Sequence, residues 1–114
     1  MGMDANTQIW LGFRENPHGD LDGIFALLPS ELYIELLEYG EIEVNDLEFR
    51  VFKHDDEPVG FGIELLDQGW REGPIEVDLA DLAKDVRKMM PKVIRTLKTV
   101  GITNKPQVWL ATNL

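Results

Sequence analysis

Residues 41–67, EIEVNDLEFRVFKHDDEPVGFGIELLD, decide the fold. Across them apolar residues stop recurring at helical spacing and fall on every second position: Ile42 and Val44, then Leu47, Phe49 and Val51, then Val59, Phe61, Ile63 and Leu65. A period of two is that of a strand with one face buried. The step from Val44 to Leu47 breaks the alternation at Asn45-Asp46, which predicts a bulge or tight turn there and leaves room for one extra short strand near Ile42. His54-Asp55-Asp56-Glu57-Pro58 is built of turn-forming residues and predicts a hairpin loop between two longer strands.

Upstream the pattern is helical. Residues 30–39, SELYIELLEY, offer Ser30 as N-cap, Glu31 in the first turn where a carboxylate suits the helix dipole, and Gly40 as the stop. Leu32, Tyr33, Leu36 and Leu37 are expected to form the buried face, and Glu31, Glu35 and Glu38 the wet one. A shorter apolar stretch at residues 24–28 predicts a turn or two of helix, and Asn16-Pro17-His18-Gly19-Asp20 a loop. Before these, residues 7–14 (TQIWLGFR) alternate as a strand, with Ile9, Leu11 and Phe13 on one side and Trp10 on the other.

Downstream, a long loop from 67 to 74 carries Gly69, Trp70 and Gly73. A helix follows over 79–100, capped by Asp78. Leu79, Leu82, Ala83, Val86, Met89, Met90, Val93, Ile94, Leu97 and Val100 share one arc; Lys84, Arg87, Lys88, Lys92, Arg95, Lys98 and Pro91 lie opposite. A proline on the wet face predicts a kink rather than two helices, because water satisfies the freed carbonyl. Gly101 ends the helix, and residues 106–112 (PQVWLAT) form a last strand. The order β-α-β-β-α-β is that of a ferredoxin-like two-layer α+β sandwich, an antiparallel sheet with two helices on one face.

Composition narrows the class. The 114 residues suit one domain spanning 1–114; they are 44% apolar and 28% charged, as in a packed protein. Without cysteine, neither disulfides nor thiolate metal sites are available, which suggests a reducing compartment. Residues 1–7 lack the order of a signal peptide and no run is long enough for a membrane span, so the expectation is a cytoplasmic protein with no membrane partner. The net charge is −10 but uneven: residues 1–83 hold 20 acids and 4 bases, and residues 84–114 hold 1 acid and 7 bases. Such a balance repels polyanions and weighs against nucleic acid as a partner.

His18 and His54 each stand beside aspartates, but their spacing matches no metal-ligand pattern, and Asp, Gly and Pro are ordinary turn residues. No nucleophile motif or phosphate-cradling glycine loop is present, so no catalytic residue, metal or cofactor is assigned. The basic helix face suits the helix dipole and offsets the acidic remainder.

Ile9-Trp10-Leu11-Gly12 and Gly60-Phe61-Gly62-Ile63 resemble the two short motifs of the RNA-recognition-motif family, on the first and third strands of the same element order. The resemblance implies aromatics at Trp10 and Phe61 stacking RNA bases on the open sheet face. The sequence departs from that pattern at Val59, where a base is usual, and at Ile63, where a third aromatic is usual. Turning Phe61 outward would also turn Glu64 inward, which is costly. In the opposite register Ile9, Leu11, Phe13, Phe49, Val51, Phe61, Ile63, Leu65, Val108 and Leu110 make the core face. Trp10, Phe52 and Trp109 then share the open face with Glu43, Glu48, Arg50 and Glu64. Trp10 adjoins Trp109, while Gly60 and Gly62 leave room for a ring to lie flat.

An aromatic patch ringed by carboxylates is a protein-binding surface, since tryptophan anchors interfaces and acids steer basic partners. The leading expectation is therefore a small acidic binding module that holds a basic protein, or a second copy of itself, on those seven residues. In size, acidity and lack of catalytic motif it resembles bacterial immunity proteins and phage inhibitors of host nucleases. The alternative is an RNA- or nucleotide-binding domain using the same face, with Arg14 and Arg50 in support. A small metal-dependent hydrolase using His18 or His54 comes third.

Overall fold

A computed structural model describes residues 6–15, 20–54, 56–68 and 78–113. The expected loops holding His18 and holding Gly69, Trp70 and Gly73 lie outside the described residues. The elements are β1 (Asn6–Arg14), α1 (Asp20–Leu27), α2 (Ser30–Tyr39), β2 (Glu41–Val44), β3 (Leu47–His54), β4 (Glu57–Gln68), α3 (Leu79–Thr99) and β5 (Gln107–Asn113). The strands form an open sheet in the order β2-β3-β4-β1-β5, every neighbouring pair antiparallel. This is an α+β arrangement that fits a two-layer sandwich. Its strand order and helix placement differ from a plain ferredoxin-like sandwich: the extra short strand allowed for near Ile42 is present as the edge strand β2, and the short helix expected around residues 24–28 is α1, so two helices link β1 to the β2–β3 hairpin.

The hairpin explains the break in alternation. Asn45 and Asp46 both take left-handed backbone angles, φ 50° and 66°. Two such residues in succession make the reversal whose twist matches that of paired strands, and Asn and Asp tolerate it best after glycine. Pairing is then in register, Ile42 with Phe49 and Glu43 with Glu48.

One face of the sheet is sealed by all three helices. Leu11, Phe13, Phe49, Phe61 and Ile63 from the strands cluster with Leu21 and Ile24 of α1, Leu36 of α2, and Val93 and Leu97 of α3. Phe61 sits at the centre, its ring 5.4 Å from Phe25 in an edge-on contact and 5.9 Å from Phe49. The RNA-recognition resemblance would have turned Phe61 outward; it is 1% exposed on the helix side.

α3 runs unbroken through Pro91, which is exposed as expected. The Asp78 side chain accepts hydrogen bonds from the Ala80 and Asp81 amides at 3.0 and 3.1 Å. At the other end Gly101 takes φ 89°, letting its amide reach Lys98 O and the Ile102 amide reach Leu97 O. That is the left-handed helix stop for which glycine is suited, and buried Ile102 closes it with an apolar contact.

Three expectations need correction. Ser30 does not cap α2; it is the first helical residue after Pro29, and no side chain caps that end. In α2 only Leu36 is buried, with Leu32 half-buried, whereas Tyr33 and Leu37 lie in the open beside Ile34. Val108 and Leu110 point to the helix side as expected but are 41% and 61% exposed. They lie on the edge strand, beyond the sealed core.

Candidate functional site

The opposite face of the sheet carries all seven residues read from the sequence. Cross-strand register brings them together: Trp10 faces both Trp109 and Glu64, Arg50 faces Gly62, Phe52 faces Gly60, and Glu43 faces Glu48. Period-two alternation along β1, β3, β4 and β5 is the cause, since cross-strand partners share a face.

The aromatic residues form an ordered base rather than a loose patch. The Trp10 ring lies flat on Gly60, where an added Cβ would run into the indole carbons. It stacks on Phe52 with centroids 4.8 Å apart and planes 16° from parallel. Its Nε1 donates to the Phe13 carbonyl at 2.8 Å, which satisfies the only polar atom of a ring that is 2% exposed. Phe52 is equally covered, at 1%. Neither has free surface to offer a ligand; they stiffen the floor on which the rest stands.

Trp109 is different. It is half-buried, its Nε1 donates to the Gly12 carbonyl at 3.0 Å, and the Arg14 guanidinium lies 4.9 Å from the ring centre. Arg50 takes a matching position 5.4 Å from the Phe52 ring and binds Glu64 at 3.1 Å. Both partners of that pair are more than a third exposed, so its value lies in fixing the two side chains and adds little stability.

The carboxylates gather at the β2–β3 end. Glu41, Glu43 and Glu48 are all exposed there, and Glu41 lies opposite Arg50 in the ladder. Hydrogen bonding to Glu41, then the like charge of Glu41, pushes the Glu48 carboxyl above its ordinary value, with Glu43 adding to the effect and Arg50 opposing it. Glu41 was not among the residues picked from the sequence. The signal was available: it precedes Glu43 by two positions, so it shares that residue's face.

At the far end of the face the charge reverses. A cleft beside Trp109 is lined by Arg14, Asn104, Lys105 and Gln107, with Gly12, Phe13 and Ile24 completing its wall. The six bases of α3 are exposed on the other layer. Among the described residues no three His, Asp or Glu side chains converge as a metal site. His54 is exposed at the end of β3, and His18 lies outside the described residues. No described helix is long and apolar enough to cross a membrane.

No protein-family model matches the chain, and neither the curated proteins nor the solved structures searched gave a match.

Proposed function

We propose that this chain is an acidic protein-binding module that holds a basic partner on the open face of its sheet. The observation that carries the reading is the union, on one face, of a rigid aromatic floor with the exposed carboxylates Glu41, Glu43, Glu48 and Glu64. A pre-ordered surface pays little entropy on binding, and a cluster of one sign accelerates and orients the approach of the opposite sign. Trp109 supplies the accessible aromatic anchor, and the charge gradient from the glutamates to Arg14 and Lys105 would set the partner's orientation. An inhibitor or immunity-type role, in which occlusion of the partner is the whole activity, is consistent with this arrangement. The fold is read with it as a ferredoxin-like core, β3-β4-β1-β5, extended by β2.

Trp10 and Phe52, stacked on each other and 2% and 1% exposed, offer no free ring face, which favours this reading over base stacking on Trp10. The test is affinity capture of partners at low salt by the wild type and by a Glu43→Lys, Glu48→Lys, Glu64→Lys triple variant. The expected result is a wild-type set of basic proteins that is released as salt rises and is lost in the variant. Capture of the same proteins by the folded variant would reject the reading.

A further inference from the structure

The two edges of the sheet are built differently. β2 is four residues long and carries exposed Glu41 and Glu43. Shortness and charge are both devices that keep an edge strand from pairing with another chain. β5 has neither. It is seven residues long, pairs with β1 without a register break, and contains no charged residue. Its Val108 and Leu110 face the same side as their buried partners Leu11 and Ile9, yet stand open at 41% and 61% exposure. The result is an apolar ledge beside a row of backbone groups with no second strand neighbour among the described residues.

We propose that β5 pairs antiparallel with β5 of a second copy, joining two five-stranded sheets into one. Charge selects this occupant and this place. Each copy carries −10, so two copies repel at long range, and the repulsion is least where the meeting surfaces carry no acid. The exposed apolar strip of α2, Tyr33, Ile34 and Leu37, adjoins Glu31, Glu35 and Glu38 on the same helix, and the β2 edge carries Glu41 and Glu43. β5 alone among these apolar or edge surfaces has no acid beside it: the strand carries no charged residue, and the charges next to Trp109 are the bases Arg14 and Lys105. It is also self-complementary. A two-fold axis at Trp109 sets Val108 against the partner subunit's Leu110, and the reverse, on the helix side. On the open side the two Trp109 rings become neighbours. Such an isologous contact closes at two copies. The pairing does not depend on the basic-partner reading.

Light scattering coupled to size exclusion, over a range of protein and salt concentrations, tests it. The mass is expected to rise from 13.0 kDa toward twice that value as protein concentration increases. Added salt should favour the dimer by screening its self-repulsion, whereas it should release a basic partner. Leu110→Lys and Val108→Lys, both at exposed positions, should stay monomeric with unchanged circular dichroism. Leu37→Lys on α2 and charge reversal at Glu43, Glu48 and Glu64 should leave the dimer intact. A wild type that stays at 13.0 kDa up to its solubility limit would overturn the proposal. So would a dimer that survives both β5 variants, or one that Leu37→Lys abolishes.

Discussion

Gly60 shows how much can hang on the absence of one carbon. The Trp10 indole occupies the space a Cβ would need there, so the stack with Phe52 and the bond to the Phe13 carbonyl both rest on that glycine. Gly60→Val is expected to lift the ring and destabilise the protein by about 1–3 kcal/mol, the usual range for overpacking a well-filled site. Urea unfolding reads the loss, and a midpoint equal to wild type would show that Trp10 is not seated as described. Glu48 offers a second test, through pH. Its raised carboxyl means that the folded state holds a proton more tightly than the unfolded chain does. Protonation therefore favours folding, and stability at this corner is lost as pH climbs through the raised value. Glu48→Gln, which removes one of the crowded charges, should raise the urea midpoint at pH 7. It should give a smaller difference below the ordinary carboxylate value of 4.5. A gap that widens on acidification would contradict this.

Elements were legible in proportion to how strictly their pattern depends on local geometry. β1, β4 and α3 announce themselves because their periods and end signals are set within a few residues: alternation, an Asp78 cap, a Gly101 stop. Asp78→Ala is expected to cost about 1 kcal/mol, the typical value of an N-cap whose side chain satisfies two amides, and thermal unfolding measures it. An unchanged midpoint would mean the cap is idle. The face of α2 was not legible, for a physical reason. Apolar residues at 32, 33, 34, 36 and 37 cover more than half the helix circumference, and nothing in the sequence says which arc will meet the sheet. Packing chose Leu36 and left Tyr33, Ile34 and Leu37 outside. The residues of the open face were readable because a strand gives only two choices of side, and the cost of burying Glu64 decided between them. What alternation does not report is accessibility. It placed Trp10 and Trp109 alike, though one is buried in a stack with Phe52 and the other is half-buried. Nor does it locate irregularities, such as the register shift opposite Ile9 and Trp10 that leaves Leu65 only half-buried.

At the scale of the molecule the sheet divides two environments. Its helix side holds the apolar cluster, and its open side holds a stiff aromatic floor whose charge runs from carboxylates at β2–β3 to bases near Trp109. The uneven charge along the sequence thus becomes a spatial one, with the α3 bases on the outer surface of the helix layer. Strand order has a further consequence, in time rather than space. Of the five described strands β1 is the first to leave a ribosome, yet its neighbours are β4 and β5, the last two of the five. Until β4 arrives, Ile9, Leu11 and Phe13 have no ladder on either side, and until β5 arrives they have only one; non-local pairing of this kind is slow to form. Among the interior strands of the described sheet, β1 is consequently the last to be flanked on both sides. The growing polypeptide is most exposed to misassembly, and most in need of a chaperone, while β5 is still being made.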